Sequence, residues 1–460
     1  MAEQHHRVQV EAVHWPTLLP GLHLFRSFRM AIHPAKLALS LILIVLLYLG
    51  GVAMDFIWGP QVFTREFEQY KALPADGYER FLDLNRQALE ETRQRKGVVR
   101  LDRIFDTVLS EELQAFEHMA TAATELDFGI GEFFSRPGRG GGVLGALVTM
   151  VVVVPGWLYQ THPGFLALYL LYAFLLTAIL GGAIARLAAL HACRDERAGA
   201  LAGLKFAAAR YPWFVSAPLI PLALVLAIGL VMAVGGWALF NLPVTDLLGG
   251  LGFGLFLLGA FVMALLLVGF AAGVNLLFPA IAVEGTDAFD AISRAFNYVL
   301  GRPWRYLFYT AVALVYGAIT YLFVGFVLYL TLWVTKVFVG LWAGGGRFDA
   351  ILPAPQFGEL LYEPNWAALD GSGSVAAAMV LVWVKLLLAL LPAFWVSFYL
   401  VSQTWIYLLL RQAADGAEFD DVYVSAPSQP QAQAADTVEP STTAGTEEPP
   451  AVDSVSGDND

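Results

Sequence analysis

Residues 250–283 read GLGFGLFLLGAFVMALLLVGFAAGVNLLFPAIAV, without one charged side chain. At 1.5 Å rise per residue this stretch outspans the roughly 30 Å hydrocarbon layer of a bilayer, which about 20 apolar residues cross. A helix satisfies its own backbone N–H and C=O groups there, so a helix is the expected form. The same reading applies to 36–58, 165–192, 213–240, 305–333 and 376–410. A seventh run, 143–159, is shorter and ends around Pro155-Gly156. The last run exceeds what one bilayer needs and contains Pro392, which predicts tilt, a kink or an extension into water.

Composition agrees with this. The chain is 58% hydrophobic and 14% charged, with a mean hydropathy of +0.62; soluble domains carry about 45–50% apolar and about 25% charged residues. The expected fold class is an all-α integral membrane bundle of six full transmembrane helices, with 143–159 as a re-entrant or seventh segment. The formal charge of −12 belongs to one place: residues 412–460 hold eleven Asp and Glu and no Lys or Arg. The rest is close to neutral, which gives no footing for nucleic acid.

The chain divides into an N-terminal segment with a first elbow (1–35), a first span (36–58), a polar helical insert (59–142), a membrane bundle (143–411) with a wet loop at 345–374, and an acidic tail (412–460). The tail is rich in Pro, Gln, Ser and Thr without apolar periodicity, so disorder is expected. In the insert, Asp76 and Glu79 read as an N-cap and its N3 partner and Gly97 as a stop, predicting a helix over 77–96. Ile104, Phe105, Val108, Leu109, Leu113, Phe116 and Met119 form one stripe of a second helix. Two such helices cover each other or lie on the membrane surface; a face for a protein partner is the alternative.

Three segments repeat a pattern of short amphipathic helix, Pro turn and apolar span. Thr286–Phe296 leads to Pro303-Trp304, Arg197–Phe206 to Pro212-Trp213, and Leu24–Phe28 to Pro34. Apolar residues at helical spacing suit the acyl boundary. Arg29, Lys205, Arg210, Arg294 and Arg302 are placed to reach lipid phosphates, and Trp213 and Trp304 stand where interfacial aromatics are favoured. A plain membrane-entry elbow explains the pattern too.

The segment Pro279-Ala-Ile-Ala-Val-Glu-Gly-Thr-Asp-Ala-Phe-Asp-Ala-Ile-Ser-Arg-Ala-Phe296 with Arg302-Pro-Trp304 resembles the signature of an uncharacterised, planctomycete-type family of bacterial multi-pass membrane proteins. Gly181–Arg186, Arg194-Asp-Glu196 and His162-Pro163 resemble other segments of that family, so the likeness covers roughly 20–58 and 143–425. More distantly, the elbow is similar to that of YciC-like proteins and of the membrane domain of some glycerophosphodiester phosphodiesterases. The resemblance implies a fold and a bacterial inner-membrane address, and it supplies no catalytic residues.

Residues 138–142 lack the Lys-Ser/Thr of a P-loop, Gly252-Phe-Gly254 follows no strand, and no G-x-S-x-G or H-E-x-x-H occurs. No cofactor, metal or enzyme activity is expected. His5, His6 and His14 read as polar terminal residues rather than as a metal set. The lone Cys193 allows no intrachain disulfide. The mostly polar or mixed chain ahead of residue 36 is too long for a usual signal-peptide n-region.

Ionisable groups inside a bilayer are costly and often functional, which singles out Asp55, Lys385, Arg186 and Glu284, with Asn275 as a bridge between helices. Lys385 reads as snorkelling or as part of a path. Arg186 and Glu284 fall at same-side ends of neighbouring spans. Two readings stand: a partly buried ion pair, or a lone snorkelling Arg186 with Glu284 capping the next helix. The expected function is a non-enzymatic membrane scaffold or lipid- and envelope-related protein, with membrane lipids as partners and a secondary transporter or channel as the alternative. If 143–159 does not cross, the N-terminus, all three elbows and the tail share the cytoplasmic side.

Overall fold

A computed structural model describes residues 20–73, 75–94, 101–125, 127, 129, 131, 141–241, 245–343, 345–357 and 362–423. His5, His6, His14, Gly97, the 138–140 stretch and residues 424–460 lie outside the described residues. Among the described residues, seven helices are long and apolar enough to cross a membrane: Pro34–Trp58, Gly142–Thr161, Pro163–Arg194, Tyr211–Phe240, Phe253–Glu284, Pro303–Gly340 and Gly371–Asp415. Proline opens four of them within the first two positions, where its missing N–H would have had no helical partner. The last helix breaks at Ala389, next to Pro392, whose ring would meet the carbonyl of Leu388. It starts at Gly371, capped by the Asp370 carboxylate on the Gly373 N–H at 3.0 Å.

The bundle is packed at one end and open at the other. Residues 180–191 and 400–411 are buried or nearly so on every face, whereas much of the Tyr211–Phe240 and Phe253–Glu284 pair is exposed and apolar. The cause lies in the short helices. Ala200–Ala209 folds back along the end of the Pro163–Arg194 helix, seating Gly203 against the Ala183 carbonyl and Leu187. Ala288–Gly301 folds back along the Phe253–Glu284 helix, so that Phe296 lies over Gly269 and Gly273. The first elbow, Pro20–Arg26 with Ser27–Ala31, packs on the last helix, where Ser397 Oγ donates to the Ala31 carbonyl at 2.8 Å. These apolar faces, among them Ala207, Ala291, Ala295 and Tyr298, are therefore covered by protein. That corrects the expectation that they sink into acyl chains. Leu201, Phe289 and Leu300, with Leu22, Phe25 and Ile32 of the first elbow, are among the apolar elbow residues that face outward.

The insert has its own small core. Its helices span Ala75–Gln94 and Ile104–Thr124, with a two-residue antiparallel ladder between Val62-Phe63 and Leu101-Asp102 that an all-α reading did not include. The Ile104–Thr124 stripe packs chiefly on Gly142–Thr161 and on the first span rather than on Ala75–Gln94. Phe105 meets Gly51 near one end of the first span, and Phe116 lies against Tyr321. Gly142–Thr161 then runs antiparallel to Ile104–Thr124: the Val143 N–H donates to the Asp127 carbonyl at 3.0 Å, while Trp157 and Leu158 share a core with Ile104 and Phe105. A π turn at Thr149–Val153 precedes Pro155, which could not have donated to an α-helical ladder.

The tail boundary also differs from the expected one. The last helix continues to Asp415, and Gly416–Tyr423 turns back onto the bundle. Phe419 and Val422 are the apolar residues that hold it there.

Candidate functional site: the elbow end and its polar groups

The elbow end gathers the charged groups that the sequence places near helix ends. Arg186 is buried, and its two terminal nitrogens donate to the carbonyls of Ala282 at 2.7 Å and Tyr423 at 2.6 Å. Ala282 belongs to the last turn of the Phe253–Glu284 helix, whose carbonyls lack intrahelical donors and favour a cation. The guanidinium also stacks on the Phe206 ring, 4.3 Å from its centroid.

Glu284 serves different partners. Its Oε1 accepts from Arg411 Nε at 2.8 Å and from the Tyr407 hydroxyl at 3.0 Å, with Arg294 at 3.9 Å. The Arg186–Glu284 pair is not formed, and neither half of the alternative holds: Arg186 is engaged, and Asp287, not Glu284, caps Ala288–Gly301 by accepting from the Asp290 N–H at 2.9 Å. Arg411 is the residue that sequence reasoning missed. It directly follows the last apolar run, and a lone Arg there must find an acceptor once buried.

Arg411 also donates to the Asp421 carbonyl and carboxylate, both at 2.7 Å. The Tyr423 N–H donates to the Val283 carbonyl at 2.8 Å. Tyr423 thus closes off one carbonyl at the end of the Phe253–Glu284 helix. Gly285 makes room for it: its φ is +65°, and a Cβ there would lie 2.5 Å from the Tyr423 ring.

The seven residues proposed for a lipid interface separate into two groups. Arg29, Lys205, Trp213 and Trp304 are exposed, and Arg302 is half-buried without an ion pair among the described residues. Arg210 is turned inward, donating to the Gly285 carbonyl at 3.1 Å between the rings of Phe206 and Tyr423. Arg294 is held by Asp290 at 2.9 Å and by Glu284. These two fasten protein to protein.

The remaining polar residues occupy separate places. Asp55 is buried and accepts from the N–H groups of Phe105 at 2.7 Å and Asp106 at 3.1 Å, capping the Ile104–Thr124 helix from another element. Asn275 accepts from the Tyr399 hydroxyl at 2.5 Å and donates to the Tyr306 hydroxyl at 3.5 Å, linking three helices. Lys385 is exposed on the outer face of its helix and has no ion pair among the described residues. Asn275 thus bonds to Tyr399 and Tyr306 and not to Lys385.

A second buried carboxylate lies in the insert. Glu66 accepts from Trp157 Nε1 at 3.1 Å, the Tyr78 hydroxyl at 3.2 Å and the Phe63 N–H at 3.0 Å. Burial pushes its pKa above the ordinary carboxylate range against these three donors. Sequence reading passed over Glu66 because the insert carries many charges and nothing in the spacing marks this one as buried. Beside it an open cavity of about 490 Å³ is lined by Arg65, Glu68, Asp102, Arg103, Asp106 and Glu111, a mixed-charge surface.

No group of three or more His, Cys, Asp or Glu side chains among the described residues is arranged to hold a metal ion. No family model matches the chain, and no curated protein or solved structure is significantly similar to it.

Proposed function

We propose that this chain is a non-enzymatic multi-pass protein of the bacterial cytoplasmic membrane, acting as a scaffold or in lipid and envelope maintenance. The observation that carries the reading is the disposition of its polar groups. Arg186, Glu284, Arg411 and Asn275 are each consumed in joining one helix to another, and Lys385 faces outward. Transporters instead bring several polar groups and broken helices together at mid-membrane. The exposed Arg29, Lys205, Arg302, Trp213 and Trp304 give the elbow end a surface suited to lipid headgroups. The insert, with its own core and mixed-charge cavity, is the part suited to a protein partner.

The secondary-structure hairpin supports one topology. Because Ile104–Thr124 and Gly142–Thr161 are antiparallel, together they add either no passage or two, never one. The N-terminus, three elbows and tail then share the cytoplasmic side whether or not Gly142–Thr161 crosses.

The alternative, a channel or secondary transporter, is tested by reconstituting the full chain in planar bilayers and proteoliposomes. The scaffold reading predicts conductance at the level of protein-free lipid. Single-channel steps that vanish in Lys385→Ala would establish the alternative.

A further inference from the structure

We propose that the pocket between the first elbow and the end of the Pro163–Arg194 helix holds the phosphate of an anionic phospholipid. This rests on the membrane reading above and assigns that surface a specific ligand. The pocket has a volume of about 310 Å³ and is lined by Arg26, Arg29, His191 and Asp195, with Met30 and Trp405 as its apolar wall.

Its charge is unbalanced. Arg26 and Arg29 are exposed, and neither has an ion pair or hydrogen-bond partner among the described residues. Behind them stands Lys36, only 1% exposed, whose Nζ lies 3.0 Å from His191 Nδ1. An ammonium only donates, so Nδ1 accepts and the imidazole carries its proton on Nε2, 3.6 Å from Asp195. Lys36 thus spends one of three donors on a neutral ring and has no carboxylate among the described residues. A buried, unpaired cation is costly. Two cations and one carboxylate line the pocket, with Lys36 behind His191, and both lining cations are guanidiniums, whose fork matches phosphate oxygens.

The neighbours select a lipid over a soluble anion. Leu22, Phe25 and Ile32 are 36%, 49% and 43% exposed on the same elbow as the two arginines. Large apolar side chains beside exposed cations suit an acyl boundary below and a headgroup above.

The test uses the full chain, delipidated in neutral detergent and titrated with dioleoyl-phosphatidylglycerol, dioleoyl-phosphatidylcholine or inorganic phosphate, with binding read by native mass spectrometry and thermal shift. The wild type should bind the anionic lipid about tenfold more tightly than the zwitterionic one and should be indifferent to inorganic phosphate. Arg26→Gln/Arg29→Gln should lose the preference, while Arg80→Gln/Arg86→Gln, which removes two exposed arginines of the insert, should keep it. A preference that survives in the first variant, or falls equally in the second, overturns the site. Displacement of the lipid by equimolar inorganic phosphate would reassign the pocket to a soluble anion. Both arginines are exposed, so the first variant should melt as the wild type does in detergent alone. If it does not, Arg29→Lys, which keeps the charge and loses the fork, must show a partial loss for the proposal to stand. Failure here leaves the membrane topology untouched, since labelling from either side of the membrane reads that separately.

Discussion

The carboxylate of Glu284 accepts the Arg411 Nε–H at 2.8 Å, both side chains being almost wholly buried, and so joins the end of the last helix to the end of the Phe253–Glu284 helix. Tyr407 and Arg294 close on the same oxygen from two further directions. Removing one partner of such a pair leaves a buried charge without its counter-ion. Glu284→Ala should therefore destabilise the chain by about 3 kcal/mol, at the lower end of the range for buried pairs because Asp421 still holds Arg411. A double-mutant cycle should show strong coupling between Glu284 and Arg411 and little between Glu284 and Arg186. The reverse ranking would refute the network described.

The chain beyond residue 423 and the segment before it should behave differently. Deletion of 426–460, which has no apolar period, should leave the melting temperature in detergent unchanged. Deletion from Gly416 removes one of the two carbonyls that accept from Arg186 and the Asp421 acceptors of Arg411, together with Phe419 and Val422, and should lower it by several degrees. Equal effects from the two deletions would contradict the docking of 416–423.

Gly285→Ala should be damaging out of proportion to its size. The left-handed conformation costs about 1–2 kcal/mol for a residue with a Cβ, and that Cβ would press on the Tyr423 ring. Trimming the ring in Gly285→Ala/Tyr423→Ala should recover the steric part and leave the conformational part. No recovery in the double variant would show that Tyr423 is not the neighbour that matters.

Glu66 predicts a pH dependence. Burial raises its folded pKa above the unfolded value of 4.5, so the folded state holds the proton more tightly. Its contribution is most favourable below 4.5 and is lost as pH rises through the folded pKa. Melting temperatures of wild type and Glu66→Gln, compared between about pH 4 and pH 8, should diverge in that direction, the wild type falling relative to the variant. A wild type that gains on the variant with rising pH would reverse the sign.

Several of these relationships could be read from the residues and others could not. Apolar runs of spanning length, and Pro34, Pro212 and Pro303 at helix starts, depend on local chemistry alone and were legible. Where a short amphipathic helix turns its apolar face is a tertiary choice. The stripe through Ala291 and Ala295 suits lipid and protein equally, and the small residues Gly269 and Gly273 decide for protein. Arg186 and Glu284 were both visible as costly charges, but their partners are a helix-end carbonyl that accepts from Arg186 and a donor, Arg411, more than a hundred positions from Glu284. Asp55 illustrates the same limit: its partners are backbone N–H groups of the insert, which no spacing rule identifies.

The central claim is that the elbows and the tail share one side of the membrane, opposite the insert. Single cysteines in a Cys193→Ser background test it, read by a membrane-impermeant maleimide on intact bacterial cells. Glu68→Cys in the insert and Gly346→Cys beyond the Pro303–Gly340 helix should react. Gly199→Cys, where a side chain meets open space, and Asp420→Cys should react only after permeabilisation. Labelling of Gly199→Cys in intact cells would place the second elbow on the side of the insert and contradict the account.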